Sequence, residues 1–118
     1  MKIIIKAKEL KLTPAITDYI NKKIGPLAKF VKKFENKSEA EAVVEIARTT
    51  HHHRHGEVYY AEANIYVKGI VIRAEQLDED IRAAIDKMKD TLKLELQKHK
   101  EKGEIKKALL RKKKLSEK

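Results

Sequence analysis
Residues 58–75 read VYYAEANIYVKGIVIRAE. In the first half, Tyr59, Ala61, Ala63, Ile65 and Val67 alternate with Val58, Tyr60, Glu62, Asn64 and Tyr66. In the second half, Ile70, Ile72 and Ala74 alternate with Val71, Arg73 and Glu75. Successive side chains of a strand point to opposite faces, so this period of two marks two strands, each with one more apolar face. Lys68-Gly69 between them suits a two-residue hairpin turn, where glycine supplies the positive φ. Just upstream, Ala42, Val44 and Ile46 alternate with Val43, Glu45 and Ala47, which predicts a third strand. Thr50 to Gly56 reads as a longer polar hairpin loop. Three such strands predict an antiparallel sheet covered on one side.

Both flanks supply helices for the cover. Lys2 to Lys8 is a short Ile-rich strand. Thr13 then caps a helix and Pro14 takes its first position, where a missing N–H costs nothing. Ile16, Tyr19, Ile20, Leu27, Val31 and Phe34 recur at helical spacing, with a kink or short break expected at Gly25-Pro26. Asn36 to Ser38 reads as a loop. Downstream, a long helix is expected from about Asp78 to Lys102, with Ile81, Ala84, Ile85, Met88, Leu92 and Leu96 as its apolar stripe. Asp78, Glu79 and Asp80 at its start, and Lys98, Lys100 and Lys102 at its end, match the helix dipole in sign. The order β-α-β-β-β-α predicts an α+β fold: a four-stranded sheet with two helices packed on one face. Residues 1–102 are expected to form this single domain. Residues 103–118 carry seven Lys/Arg against two Glu and read as a basic C-terminal tail, the alternative being that Ile105 to Leu115 extends the helix.

Composition narrows the function. The chain has 118 residues, 28 Lys/Arg against 18 Asp/Glu, and a formal net charge of +10. It contains no cysteine, which excludes disulfides, thiol catalysis and Cys-ligated metals. There is no apolar run of about 20 residues for a membrane span and no signal-peptide core, so a cytoplasmic protein is expected. With four glycines and no G-x-G-x-x-G or G-K-[ST], a nucleotide-binding loop has no support. The basic excess points to a polyanion, nucleic acid first.

The cations are placed in lines. At about 100° per residue, Arg82, Lys89, Lys93 and Lys100 fall on one line beside the apolar stripe of the last helix. Lys87 and Lys98 fall on its other flank. On the first helix Lys22, Lys29 and Lys33 form a line away from Ile16 and Leu27. Helices sharing a sheet face would set these lines beside the groove between them, where phosphates of a structured RNA would be held. The alternative is a solvated lysine face kept for solubility. Tyr60 and Tyr66, on the uncovered sheet face, are candidate stacking platforms for single-stranded RNA. No RNP-type G-F-x-F accompanies them, so recognition of backbone and shape fits better. Phe30 and Phe34 read as core.

His51-His52-His53-Arg54-His55 reads as an exposed loop that gains charge below pH ~6.5. Its alternative reading as a metal site lacks acidic or Cys partners apart from Glu57. No metal or cofactor is expected. No catalytic constellation stands out, and the carboxylates near residue 80 are explained as helix-start charges, so no enzyme is expected.

Three stretches together resemble a known family. They are IIIKAKELKLTPAITDYI (Ile3 to Ile20), the hairpin from Val67-Lys68-Gly69 to Arg73-Ala74-Glu75, and DIRAAID (Asp80 to Asp86) with its helix ending LQKHKEK (Leu96 to Lys102). The pattern is similar to the ribosome hibernation promoting factor / ribosome-associated inhibitor (YfiA-like) family. The resemblance implies a fold like that of double-stranded-RNA-binding domains. It implies a protein that binds the small ribosomal subunit in its decoding channel through rRNA phosphates, excludes tRNA and mRNA, and inhibits translation. A generic structured-RNA or double-stranded-RNA-binding module is the alternative. A short form of the family, monomeric and without membrane or small-molecule partners, is expected. Lys98, Lys100 and Lys102 match the family's basic helix end. Arg82 stands where the family usually has Tyr. Where it has K-L-x-R-Q-L, this chain has Thr91-Leu92-Lys93-Leu94-Glu95-Leu96, with Lys89 and Lys93 close by as substitutes for the two missing cations.

Overall fold
The computed structural model of the chain describes residues 1–31, 40–49, 58–67 and 70–116, with side chains through 99. Strand β1 spans Lys2–Lys8 and helix α1 spans Pro14–Ile24. A 3₁₀ turn at Gly25–Leu27 leads into the short helix α2, Ala28–Val31. Strands β2 (Glu41–Thr49), β3 (Val58–Val67) and β4 (Ile70–Asp78) follow, and helix α3 covers Ile81–Ser116.

The local signals act where the sequence placed them. Thr13 Oγ1 accepts from the Ile16 N–H at 3.2 Å, with Pro14 in the first turn of α1. The break falls at Gly25-Pro26. A residue before proline is steered out of the helical region by its own Cβ, and Gly25, lacking one, holds φ −49°, ψ −48° there. At α3, Asp80 Oδ1 accepts from the Arg82 N–H at 3.1 Å. The expected start at Asp78 is corrected: Asp78 ends β4, paired with Tyr59. The expected end near Lys102 is also corrected, because the helical backbone continues through Gly103 to Ser116. One glycine costs a helix about 1 kcal/mol, and the Lys, Ala, Leu and Arg beyond it are strong helix formers.

The sheet order is β1-β2-β3-β4. The pairs β2–β3 and β3–β4 are antiparallel, as the alternation predicts. The β1–β2 pair is parallel, with Ile3 opposite Ala42 and Ile5 opposite Val44. A helical crossover between the two strands brings the second back in the direction of the first. Val67 pairs with Ile70, while Lys68 and Gly69 themselves lie outside the described residues. So do Phe34, the Asn36–Ser38 loop and the Thr50–Gly56 loop with its histidines.

Both helices cover one sheet face. The core joins Ile20, Ile24, Leu27 and Val31 of the first helical stretch to Val44, Ile46, Ile65 and Ile72 of the sheet, and to Ala84, Ile85, Met88, Leu92 and Leu96 of α3. No polar side chain is buried among the described residues. α3 lies over β3 and β4 and beside α1. The strand positions beneath it include Ala61, Ala63 and Ala74, all buried, and their small side chains let the helix approach. Phe30 departs from the expectation of a core residue. It packs against the core from its edge and stays partly exposed.

Candidate nucleic-acid interface
The two stripes that bury α1, α2 and α3 leave a cleft along the line where these helices meet. It is a shallow groove of about 160 Å³. Its floor is Pro26, Leu27 and Phe30. Its walls carry Lys22, Lys23 and Lys29 from the first helical stretch and Lys89 and Lys93 from α3. Lysines placed on separate helices by their offset from separate apolar stripes thus converge on one surface.

Lys22, Lys29 and Lys93 have no carboxylate partner among the described residues. Lys29 Nζ sits 5.2 Å from the centre of the Phe30 ring, and Lys93 Nζ sits 5.7 Å from it. Lys89 pairs with Asp90 at 2.9 Å, its neighbour on the helix. At the upper end of the groove, Lys23 Nζ and the Arg82 guanidinium each lie 5.4 Å from the Tyr19 ring centre. The Tyr19 hydroxyl donates to Asp86 Oδ1 at 2.6 Å, and Lys23 lies 3.5 Å from the same oxygen. The hydrogen bond to Asp86, then burial, push the Tyr19 hydroxyl up to about 12, so it remains a donor at neutral pH.

Of the cations read from the sequence, Lys22, Lys29, Lys89 and Lys93 line the groove, and Arg82 extends it. Lys87 and Lys98 do not join them. Lys87 lies on the β4 side, its Nζ 2.5 Å from Asp78, and the hydrogen bond it donates there holds the Asp78 carboxyl below the usual range. Lys98 faces Glu95 at 3.4 Å. Lys33 lies outside the described residues, as do the side chains of Lys100 and Lys102. Lys23 was missed. Its i, i+4 relation to Tyr19 on α1 was the available signal, since a cation one turn from an aromatic sits over that ring.

The uncovered sheet face has a different character. Register places Lys2, Lys6, Lys8 and Arg73 on it with Glu41, Glu45, Glu62 and Glu75, an even balance. Arg73 bridges Glu62 at 3.3 Å and Glu75 at 2.9 Å. The Tyr60 hydroxyl lies in hydrogen-bond reach of both carboxylates, so it is tied into this network and not presented as a stacking platform. Tyr66 is exposed. A larger depression of about 340 Å³ lies by β4, with Tyr60, Glu75, Gln76 and Leu77 as its described lining residues, and the charged one among these is an anion. Among the described residues, the lysine-lined groove on the helix side is the surface that favours phosphate.

Comparison with known proteins agrees with the three stretches singled out in the sequence. Residues 3–104 match the family described as Sigma 54 modulation protein / S30EA ribosomal protein. The chain belongs to this family. Among relatives in the S30EA family, a ribosome hibernation promotion factor of Picosynechococcus is 33% identical over 104 residues, 87% of this chain and 51% of the relative. The chain thus spans about half the length of that protein. A ribosome hibernation promoting factor of Klebsiella oxytoca is 30% identical over 102 residues, 86% of this chain and 96% of the relative. The crystal structure of the Thermus thermophilus Protein Y N-terminal domain superposes with a TM-score of 0.66 at 27% identity, covering 84% of this chain and 99% of that one. The two positions where the S30EA resemblance led one to expect cations lie off the groove. Thr91 Oγ1 bonds the Lys87 carbonyl and accepts from Gln76 on the β4 side, and the Leu94 side chain is exposed.

Proposed function
We propose that this protein is a ribosome-binding hibernation factor that inhibits translation by occupancy. Its basic groove lies against phosphates of the small-subunit rRNA in the decoding channel, and the bound domain excludes tRNA and mRNA. The observation that carries this reading is the convergence of Lys22, Lys23, Lys29, Lys89 and Lys93 on one groove, against a charge-balanced sheet face on the opposite side. The named relatives, described as ribosome hibernation factors, support the choice of the ribosome over free structured RNA. The function needs no chemistry, and none is assigned. The protein acts in the cytoplasm as a monomer.

Phosphate contacts release counterions, so affinity falls steeply with salt. Pelleting with small ribosomal subunits, coupled to in vitro translation, tests the proposal. The wild-type protein should sediment with subunits and inhibit translation, with free structured RNA competing poorly. Lys89→Glu combined with Lys93→Glu should reduce binding at least tenfold while leaving the melting temperature within a few degrees. No association at low salt would end the proposal, and unchanged affinity of the double variant would move the interface off α3.

A further inference from the structure
The groove contains a repeat that net charge does not reveal. Tyr19 and Phe30 stand eleven residues apart along the first helical stretch, and Arg82 and Lys93 stand eleven apart on α3. On the continuous helix α3 eleven residues make about three turns, so Lys93 returns to the side of Arg82 roughly 16 Å further on, while Phe30 lies on α2, past the break at Gly25-Pro26. At each station an aromatic ring meets one cation from each wall. The Tyr19 ring holds Lys23 and Arg82, both at 5.4 Å. The Phe30 ring holds Lys29 at 5.2 Å and Lys93 at 5.7 Å. Both rings are anchored by packing against the core.

We propose that Tyr19 and Phe30 are positioning residues, each gathering a wall-to-wall pair of cations, Lys23 with Arg82 and Lys29 with Lys93, into one of two seats for RNA phosphates. This rests on the reading of the groove as the RNA-docking surface. A free lysine side chain loses much rotamer entropy when it is fixed on a phosphate, and a ring that already confines it lowers that cost. The ring meets one side of an ammonium group and leaves its other N–H donors for a phosphate oxygen. The seats differ. Asp86 partly neutralises the Tyr19 seat through Lys23, whereas the Phe30 seat faces no carboxylate among the described residues. The Phe30 seat therefore contributes more to binding.

Affinity for small ribosomal subunits, measured across salt concentrations, tests the role of a ring that carries no charge. Phe30→Leu should weaken binding about three- to tenfold and make the log–log salt dependence shallower by up to about one unit, with every lysine still present. Phe30→Trp, which restores a ring, should recover most of the loss. Lys93→Met should cost less in the Phe30→Leu background than in the wild type, because the pair is already dispersed. A folded Phe30→Leu protein with unchanged affinity and slope, beside a weakened Lys93→Met protein, overturns the positioning role while leaving the groove as the interface. If Lys93→Met also binds like wild type, the groove reading falls and takes this inference with it. Should Phe30→Leu fail to fold, Tyr19→Leu against Tyr19→Phe makes the same comparison. The leucine variant should bind more weakly than the phenylalanine variant, and equal binding overturns the proposal.

Discussion

At Tyr19 the ring packs against the core while the hydroxyl donates to Asp86, so one side chain ties α1 to α3 and borders the charged groove. Its pKa stands near 12, against an ordinary value near 10. Below about pH 10 both folded and unfolded chains keep the phenolic proton, and the stabilising contribution is complete. Between about 10 and 12 the unfolded chain releases the proton and the folded chain keeps it, so stability falls as pH rises through this window. Alkaline difference spectroscopy of the folded protein should show a tyrosine ionisation near pH 12 that disappears in Tyr19→Phe. Persistence of that step in the variant would show that it belongs to another tyrosine. Nothing in the local sequence announces this pair, because Tyr19 and Asp86 are 67 positions apart and meet only once both helices lie on the sheet.

Elements behave as their patterns require. The alternation in 58–75 becomes β3 and β4, and the stripe from Ile81 to Leu96 becomes the buried side of α3. The alanines of the sheet show how closely these elements fit. Ala63 is fully buried, opposite Val44 on β2 and Ala74 on β4. Ala63→Leu should therefore lift α3 from the sheet and destabilise the protein by about 1–3 kcal/mol in denaturant unfolding. A neutral result would mean that space remains under the helix. The expected start of α3 fell too early, because Asp78, Glu79 and Asp80 all match the helix dipole in sign. Tertiary pairing chose between them by extending β4 to Asp78.

At the scale of the whole molecule, the described residues spread their charge unevenly. The helix side gathers Lys22, Lys23, Lys29, Lys89 and Lys93 on one groove, and the sheet side sets its cations against an equal number of glutamates. This asymmetry orients the domain toward a polyanion before contact. The basic segment 103–118 adds a net charge of +5 beyond Leu96, the last core residue among those described. We propose that it acts as an auxiliary electrostatic arm. Deleting 103–118 should leave the melting temperature within a few degrees, weaken subunit binding, and reduce the salt slope by up to about four units. Complete loss of binding would transfer the main interface from the groove to the arm. An unchanged slope would show that the arm touches no phosphate.

The sequence alone determined the elements and their order, the Thr13 cap, the break at Gly25-Pro26 and the alternating apolar faces of β2, β3 and β4. These are settled by interactions a few residues long, and a period of two or 3.6 records them directly. It also determined which lysines lie beside an apolar stripe. Tertiary structure decided which of those lysines face each other. Lys29 and Lys93 meet at Phe30 because α2 and α3 pack side by side, while Lys87, on the opposite flank of the same helix, is taken by Asp78. A helix wheel gives the angle of a side chain about its own axis, but the partner at that angle comes from another element, and packing alone brings it there.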